Sequence, residues 1–250
     1  MTIAAQPVEK RTKPKKTGAR TLARWIAEVL DLLETRWRHE AIPPDLAHPE
    51  PLDGLILTVL SQHTNDRNRD VAFARLKERY PEWEDVASAG YEAVEDAVRP
   101  AGLAPTKAGR ILEILKIVRE DFGRYSIAPL VQRGRDEARK YLLSLPGVGE
   151  KTAACVLLFD MNLAAFPVDT HIARVCQRVG FVPDETPAET ICALLEREVD
   201  PARYLGGHVN IIEHGRTVCK ARKPLCRSCD VSGLCSFYEK QASMETRVQQ

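Results

Sequence analysis

Apolar side chains recur at every third or fourth position along nearly the whole chain, and strict alternation of period two is nowhere sustained. Leu22, Trp25, Ile26, Val29, Leu32 and Leu33 form one such stripe, and Ile111, Leu112, Leu115, Ile117 and Val118 form another. A stripe of this period covers one face of a helix, whereas a strand changes face at each residue. Proline then divides the pattern into pieces of helix length, at Pro43-Pro44, Pro81, Pro100, Pro105, Pro129, Pro146, Pro167, Pro183, Pro187, Pro201 and Pro224, because its ring removes a donor and ends a helix near the preceding residue. An all-α fold of roughly ten or eleven helices is expected. Their expected positions are near 20–38, 52–64, 66–79, 82–99, 106–122, 134–145, 150–160, 170–179, 187–198 and 201–214.

With 250 residues, 44% apolar and 28% charged, the chain can bury one large or two modest cores. Disorder throughout and a collagen-like fibre are excluded. No stretch reaches the roughly 18 to 20 consecutive apolar residues that cross a bilayer, and the basic N-terminus has no apolar segment behind it. A protein neither membrane-spanning nor secreted is therefore expected. The net charge of +1 says little, but its distribution is uneven: residues 1–20 hold Lys10, Arg11, Lys13, Lys15, Lys16 and Arg20 against Glu9. With Pro7, Pro14 and Gly18 and few large apolar groups, residues 1–19 read as a disordered basic tail, either a solvated arm or one that adds affinity for a polyanion.

Seven cysteines without an export signal do not read as a disulfide scaffold, and an odd count weakens that reading further. Cys155, Cys176 and Cys192 sit among aliphatic neighbours, where a thiol serves as a small hydrophobe. Cys219, Cys226, Cys229 and Cys235 instead form C-x6-C-x2-C-x5-C on one loop, four soft ligands for a metal centre. Thiolates suit either tetrahedral zinc or an iron–sulfur cluster, and ligand chemistry alone leaves both open. Arg216, Lys220, Arg222, Lys223 and Arg227 surround the first three cysteines, with no acidic residue from Gly215 to Arg227. Such a loop is a good phosphate-contacting surface.

Two expected helices are joined by Leu145-Pro146-Gly147-Val148-Gly149, followed by Glu150-Lys151-Thr152. The glycines let backbone approach a ligand closely, and the free amides there could face an anion; a plain tight connection is the competing reading. Lys151 falls in the first helical turn, where the dipole should lower an ammonium pKa and favour a neutral amine nucleophile, although many such lysines are simply solvated charges. Eighteen residues on, Pro167-Val168-Asp169-Thr170-His171 opens another helix. Asp169 suits an N-cap, and equally a carboxylate that takes a proton or stabilises positive charge on a sugar ring.

Leu-Pro-Gly-Val-Gly-x-Lys-Thr-Ala at 145–153, Val-Asp-Thr-His-Ile at 168–172, His-Gly-Arg at 214–216 and the cysteine spacing, in this order, resemble the endonuclease III family of helix-hairpin-helix DNA glycosylases over about residues 20–240. The resemblance implies two helical domains: a six-helix domain at 43–163 carrying the hairpin, and a second made of 20–42 plus 164–240 that holds a [4Fe-4S] cluster on Cys219, Cys226, Cys229 and Cys235. Residues 241–250 are expected to be a flexible C-terminus. It further implies a base-excision-repair glycosylase that removes oxidised pyrimidines, with Lys151 as the Schiff-base nucleophile of an abasic-site lyase and Asp169 as the catalytic carboxylate. Double-stranded DNA with a damaged pyrimidine or an abasic site is the implied partner, the protein acting as a monomer in a bacterial cytoplasm at the nucleoid. Gly147, Val148, Gly149, Lys220, Arg222 and Lys223 are the implied DNA contacts. Where the family fills the gap left by the flipped base with a glutamine, this chain has His63, and Gln62 stands one position earlier, so either side chain is a candidate. Small residues around Gly102-Leu103-Ala104-Pro105 depart from the family at the loop it uses beside the opposite strand. The rival readings are an adenine- or thymine-mismatch glycosylase of the same superfamily and a non-catalytic, metal-stabilised DNA-binding module. The adenine-mismatch enzymes carry a small hydroxyl residue where Lys151 stands.

Overall fold

A computed structural model of the chain describes residues 21–37 and 50–248. The expected basic tail at 1–19, and 38–49 where the first expected domain begins, lie outside the described residues. Among the described residues there is no strand, and thirteen α-helices follow one another: α1 Leu22–Trp37, α2 Pro51–Ser61, α3 Asp66–Arg79, α4 Trp83–Ser88, α5 Tyr91–Val98, α6 Ala104–Phe122, α7 Pro129–Arg133, α8 Arg135–Ser144, α9 Glu150–Cys155, α10 Thr170–Val179, α11 Ala188–Glu198, α12 Tyr204–Thr217 and α13 Ser236–Val248. None of them is long and apolar enough to cross a membrane.

Local chemistry explains most of the boundaries. Glu50 caps α2 by accepting from the Leu52 amide and also holds Ser126 and the Ile127 amide. Asn65 caps α3 through Asn68 N–H. The single helix expected over 82–99 is two, because Gly90 sits at φ +84° and turns the chain between them. Two helices went unforeseen. α7 is only five residues long, too short for a periodic signal. α13 runs through 241–248, where a flexible end is the sequence expectation, and its first turn is tied to the cysteine loop by the Glu239 amide on the Cys235 carbonyl.

Buried apolar side chains fall into two groups. One gathers Leu52 to Ala165, drawing on α2 to α9. The other combines Ile26, Val29, Leu30 and Leu33 of α1 with Leu158, Phe166 and residues of α10 to α12. Arg203 reaches Asp31 and Glu34, and Trp25 Nε1 donates to the Leu234 carbonyl, so α1 is bound to the C-terminal part by polar contacts as well as by packing. Between the groups runs a π-helical turn, Val156–Asp160, that continues α9. Its wider winding turns successive side chains to opposite sides: Val156 and Leu157 join the first core and Leu158 the second. The short helix that begins with Glu150-Lys151 is thereby set at the junction of the two.

The end of this turn holds an ionisable group under strain from its surroundings. The Asp160 carboxylate occupies the space a side chain at Gly54 would need, and Asp53 lies close by, accepting from Trp83 Nε1 at 2.6 Å. Burial first, and then the Asp53 charge, push the Asp160 carboxyl up to about 7. The native state therefore favours the protonated form. Its contribution is complete below the ordinary carboxylate pKa and is lost as pH rises through about 7. Asp160→Asn should be near neutral in stability at acid pH and should stabilise by about 1–3 kcal/mol at pH ~8, the full shift being reduced by partial solvent access. Urea melts at the two pH values check this, and equal effects at both would contradict it.

Candidate DNA-facing active site

The turn between α8 and α9 is shaped by two glycines for different reasons. Gly147 adopts φ +73°, and a Cβ there would lie 2.6 Å from Arg110 Cδ and Nε. Gly149 precedes α9 in extended conformation. Val148 is buried in the first core, and its amide closes the turn on the Leu145 carbonyl at 3.2 Å. The Gly147 and Gly149 amides have no acceptor among the described residues, and the first-turn amides of α9 are free by helix geometry.

Gln62 and His63 part company here. The Gln62 amide donates to the Gly147 carbonyl at 3.0 Å and its Oε1 accepts from Arg110 Nη1 at 2.8 Å, so this side chain is built into the support of the hairpin. His63 follows it at φ +53° and is exposed. An exposed apolar residue in left-handed conformation, Leu103 at φ +49° and 57% accessible, stands just before α6. It gives the Gly102–Pro105 loop a large side chain at its tip despite its small neighbours. Lys107, 1% exposed, ties the end of α2 to the turn before α6: its Nζ donates to the carbonyls of Leu60 and Ala101, both at 2.8 Å. No sequence signal marks it, since a lysine in a helix ordinarily faces solvent.

Lys151 is exposed in the first turn of α9. Asp169 caps α10 with one oxygen, Oδ1 accepting from the amides of His171 and Ile172 at 2.9 Å each. Its other oxygen is not used by the cap, so capping and a chemical role are compatible. Lys151 and Val168, the residue before Asp169, line one cleft with Glu150, Ala154 and Cys192, so the segment that bears Asp169 adjoins the start of α9. Cys155 lies one helical turn beyond Lys151, and burial is the main cause of its raised thiol pKa, opposed by the Lys151 charge. His208, whose Nδ1 meets the Pro167 carbonyl at 2.9 Å, is pushed down to about 4 by burial and is therefore a neutral wall beside the two. Neither role is legible from residue type. Cys155 looks like an ordinary apolar thiol, and His208 lies about forty residues from Asp169 in the chain.

All four C-terminal cysteines line one cavity, partly open to solvent, with Val175, Val179 and Val218 among its apolar walls. Among the described residues, no three His, Cys, Asp or Glu are close enough to hold one metal ion. A tetrahedral zinc site would draw its sulfurs to about 3.8 Å from one another, given Zn–S bonds near 2.3 Å. Polar support surrounds the sulfurs: Arg178 Nη1 lies 3.5 Å from Cys219 Sγ and His214 Nε2 lies 3.6 Å from Cys229 Sγ. Burial pushes the Cys229 thiol up to about 12, so only a positively charged centre would hold it as thiolate. Arg178 also grips the carbonyls of Lys220 and Ala221, and Arg174 that of Cys219. These backbone anchors leave the side chains of Lys220, Arg222 and Lys223 exposed. Arg216, at the end of α12, reaches Asp66 at the start of α3 at 3.6 Å and so links the cysteine-loop side of the molecule to the Gln62–Asn65 loop.

Residues 56–201 match the family model described as HhH-GPD superfamily base excision DNA repair protein. Endonuclease III of Thermotoga maritima is 37% identical over 208 residues, covering 82% of this chain and 92% of that protein. Endonuclease III of Escherichia coli K12 is 35% identical over 220 residues, covering 86% and 97%. Among solved structures, a non-covalent endonuclease III–DNA complex superposes with a TM-score of 0.75 at 29% identity, covering 88% of this chain and 98% of that one. A thermostable thymine-DNA glycosylase, at 24% identity and a TM-score of 0.74, shares the fold. With the hairpin, the Lys151–Asp169 neighbourhood and these relationships together, the chain belongs to the HhH-GPD superfamily of base excision DNA repair proteins, as an enzyme of the DNA glycosylase and abasic-site lyase class.

Proposed function

We propose that this enzyme excises oxidised pyrimidines from double-stranded DNA and cuts the strand at the resulting abasic site through a Schiff base on Lys151. The observation that supports this reading is the cleft shared by Lys151 and Val168, which sets the segment bearing Asp169 beside the start of α9 after the hairpin. A flipped nucleotide brings its C1′ to this mouth. The Lys151 amine forms a bond to C1′, the glycosidic bond breaks, and the base departs with that electron pair and a proton. Asp169 accepts the proton that the attacking amine must lose, and its charge stabilises the cationic sugar before the imine forms. The C1′–O4′ bond then opens, O4′ taking the proton that Asp169 accepted, and the nitrogen lone pair forms the protonated imine; this makes the C2′ proton acidic, and its loss to water expels the 3′ phosphate as the leaving group.

The remaining assignments follow from the same surface. The hairpin at Gly147, Val148 and Gly149 faces one phosphate, and Lys220, Arg222 and Lys223 face others. His63 enters the gap left by the flipped base, since Gln62 is engaged beneath it. The two buried cores support a division into a hairpin domain at 43–163 and a second domain of 20–42 plus 164–240. The enzyme works as a monomer in the cytoplasm, at the nucleoid.

Borohydride trapping tests the function directly: wild-type protein should become covalently linked to duplexes bearing an abasic site, thymine glycol or dihydrouracil, and only weakly to adenine or thymine mismatches. No adduct with a competent abasic duplex would return the chain to a binding module. Cys219, Cys226, Cys229 and Cys235 are proposed to hold a [4Fe-4S] cluster, which when bound crosslinks a loop that has little core of its own. Protein expressed with ample iron should carry about four irons per chain, and replacing any one of the four cysteines by serine should lower the yield of folded protein. Stoichiometric zinc would refute the cluster.

A further inference from the structure

α6 carries a second cation that the proposed chemistry does not use. Arg110, half-buried, lays its guanidinium across the hairpin, with Cδ and Nε at 2.6 Å and Cζ at 2.9 Å from where a Cβ on Gly147 would stand. Its hydrogen-bond partner is a neutral one, Gln62 Oε1 at 2.8 Å from Nη1, and no carboxylate pairs with it among the described residues. Arg139 and Arg203, also partly buried, are paired with Glu150 and Glu196 and with Asp31 and Glu34, while Arg174 and Arg178, which lack a carboxylate among the described residues, each hold at least two backbone carbonyls. A guanidinium taken partly out of water and given one amide oxygen is costly unless an anion completes its shell. Gln62 is in turn fixed to the Gly147 carbonyl, so the fork is aimed by two hydrogen bonds and by the turn beneath it.

We propose that Arg110 is a DNA-phosphate contact, its fork held over the hairpin by Gln62 so that its remaining N–H groups meet a backbone phosphate beside the lesion. The proposal rests on the reading of the hairpin as the DNA-facing turn. In this arrangement Gln62 acts as a positioning residue beneath the DNA. One side chain thus relates the phosphate-holding turn to the loop that presents His63, and a planar fork suits this better than a lysine because one edge can hold the amide while another meets the anion.

The measurement is the salt dependence of binding by the full chain to a duplex carrying a tetrahydrofuran abasic analogue, over roughly 50–200 mM salt. Arg110→Gln should lower the slope of log K against log salt by about one and weaken binding about tenfold at the low-salt end. Gln62→Glu reaches the same end without removing the arginine, by neutralising it in place, and should lower the slope by a similar amount. Arg110→Lys should keep the wild-type slope with a severalfold weaker Kd. If Arg110→Gln fails to fold, Gln62→Glu decides the matter. Wild-type slopes in both neutralising variants would overturn the proposal, because a brace that never meets phosphate loses binding equally at all salt concentrations. Borohydride trapping by wild-type protein is scored separately, so failure of the lyase reading leaves the slope comparison intact.

Discussion

Lys151→Gln should bind an abasic duplex within a few-fold of wild type while borohydride trapping and strand cutting vanish. The substitution removes the attacking nitrogen but leaves the Gly147 and Gly149 amides, the buried Val148 and the exposed Lys220, Arg222 and Lys223 as they are. Binding and chemistry therefore separate in a single variant. A covalent intermediate cannot form without its nucleophile, so the expected loss is complete rather than graded. Electrophoresis of the reduced mixture reads the adduct, and filter binding reads the affinity. Trapping at the wild-type level would show that another amine is the nucleophile, and the mechanism would fall with it.

Asp169→Asn should fail differently. Asparagine is a good N-cap and can still accept from the His171 and Ile172 amides, so α10 should keep its start and the protein its melting temperature. What is lost is the negative charge beside the sugar and the proton acceptor for Lys151. Base removal should fall by about 10²–10⁴-fold, the range for loss of a general acid or base. An abasic site has already lost its base, so on that substrate the same variant should be impaired less. Single-turnover rates on thymine glycol and abasic duplexes, measured side by side, check this. Equal losses on both would mean that Asp169 serves only the imine chemistry or the fold.

Features set by local pattern were legible in the sequence. The helical class follows from apolar spacing that a strand cannot use. The hairpin announces itself through two glycines around a valine, and the structure adds the reason for Gly147: a positive φ and the close approach of Arg110. The cysteine spacing marks four residues within seventeen that the structure gathers around one cavity. Even so, the same reading took 82–99 as one helix. Gly90 is a weak helix breaker on paper and becomes decisive only at φ +84°.

The rest depended on contacts between residues far apart in the chain, which no spacing rule reports. Sequence left Gln62 and His63 as equal candidates for the flipped-base gap. Hydrogen bonds to Gly147, 85 residues away, and Arg110, 48 residues away, turn Gln62 inward and leave His63 outward. Lys107 and Asp160 carry no sequence signal, yet one is buried between the carbonyls of Leu60 and Ala101 and the other is pushed toward neutrality by burial and the nearby Asp53 charge. Sequence by itself determined which chemistry this chain carries, because helix period, glycine turns and ligand spacing act within a few residues. Only the tertiary structure decided which side chains around the hairpin are engaged by their neighbours and which stay exposed, because burial and charge compensation are properties of packed neighbours and not of neighbours in sequence.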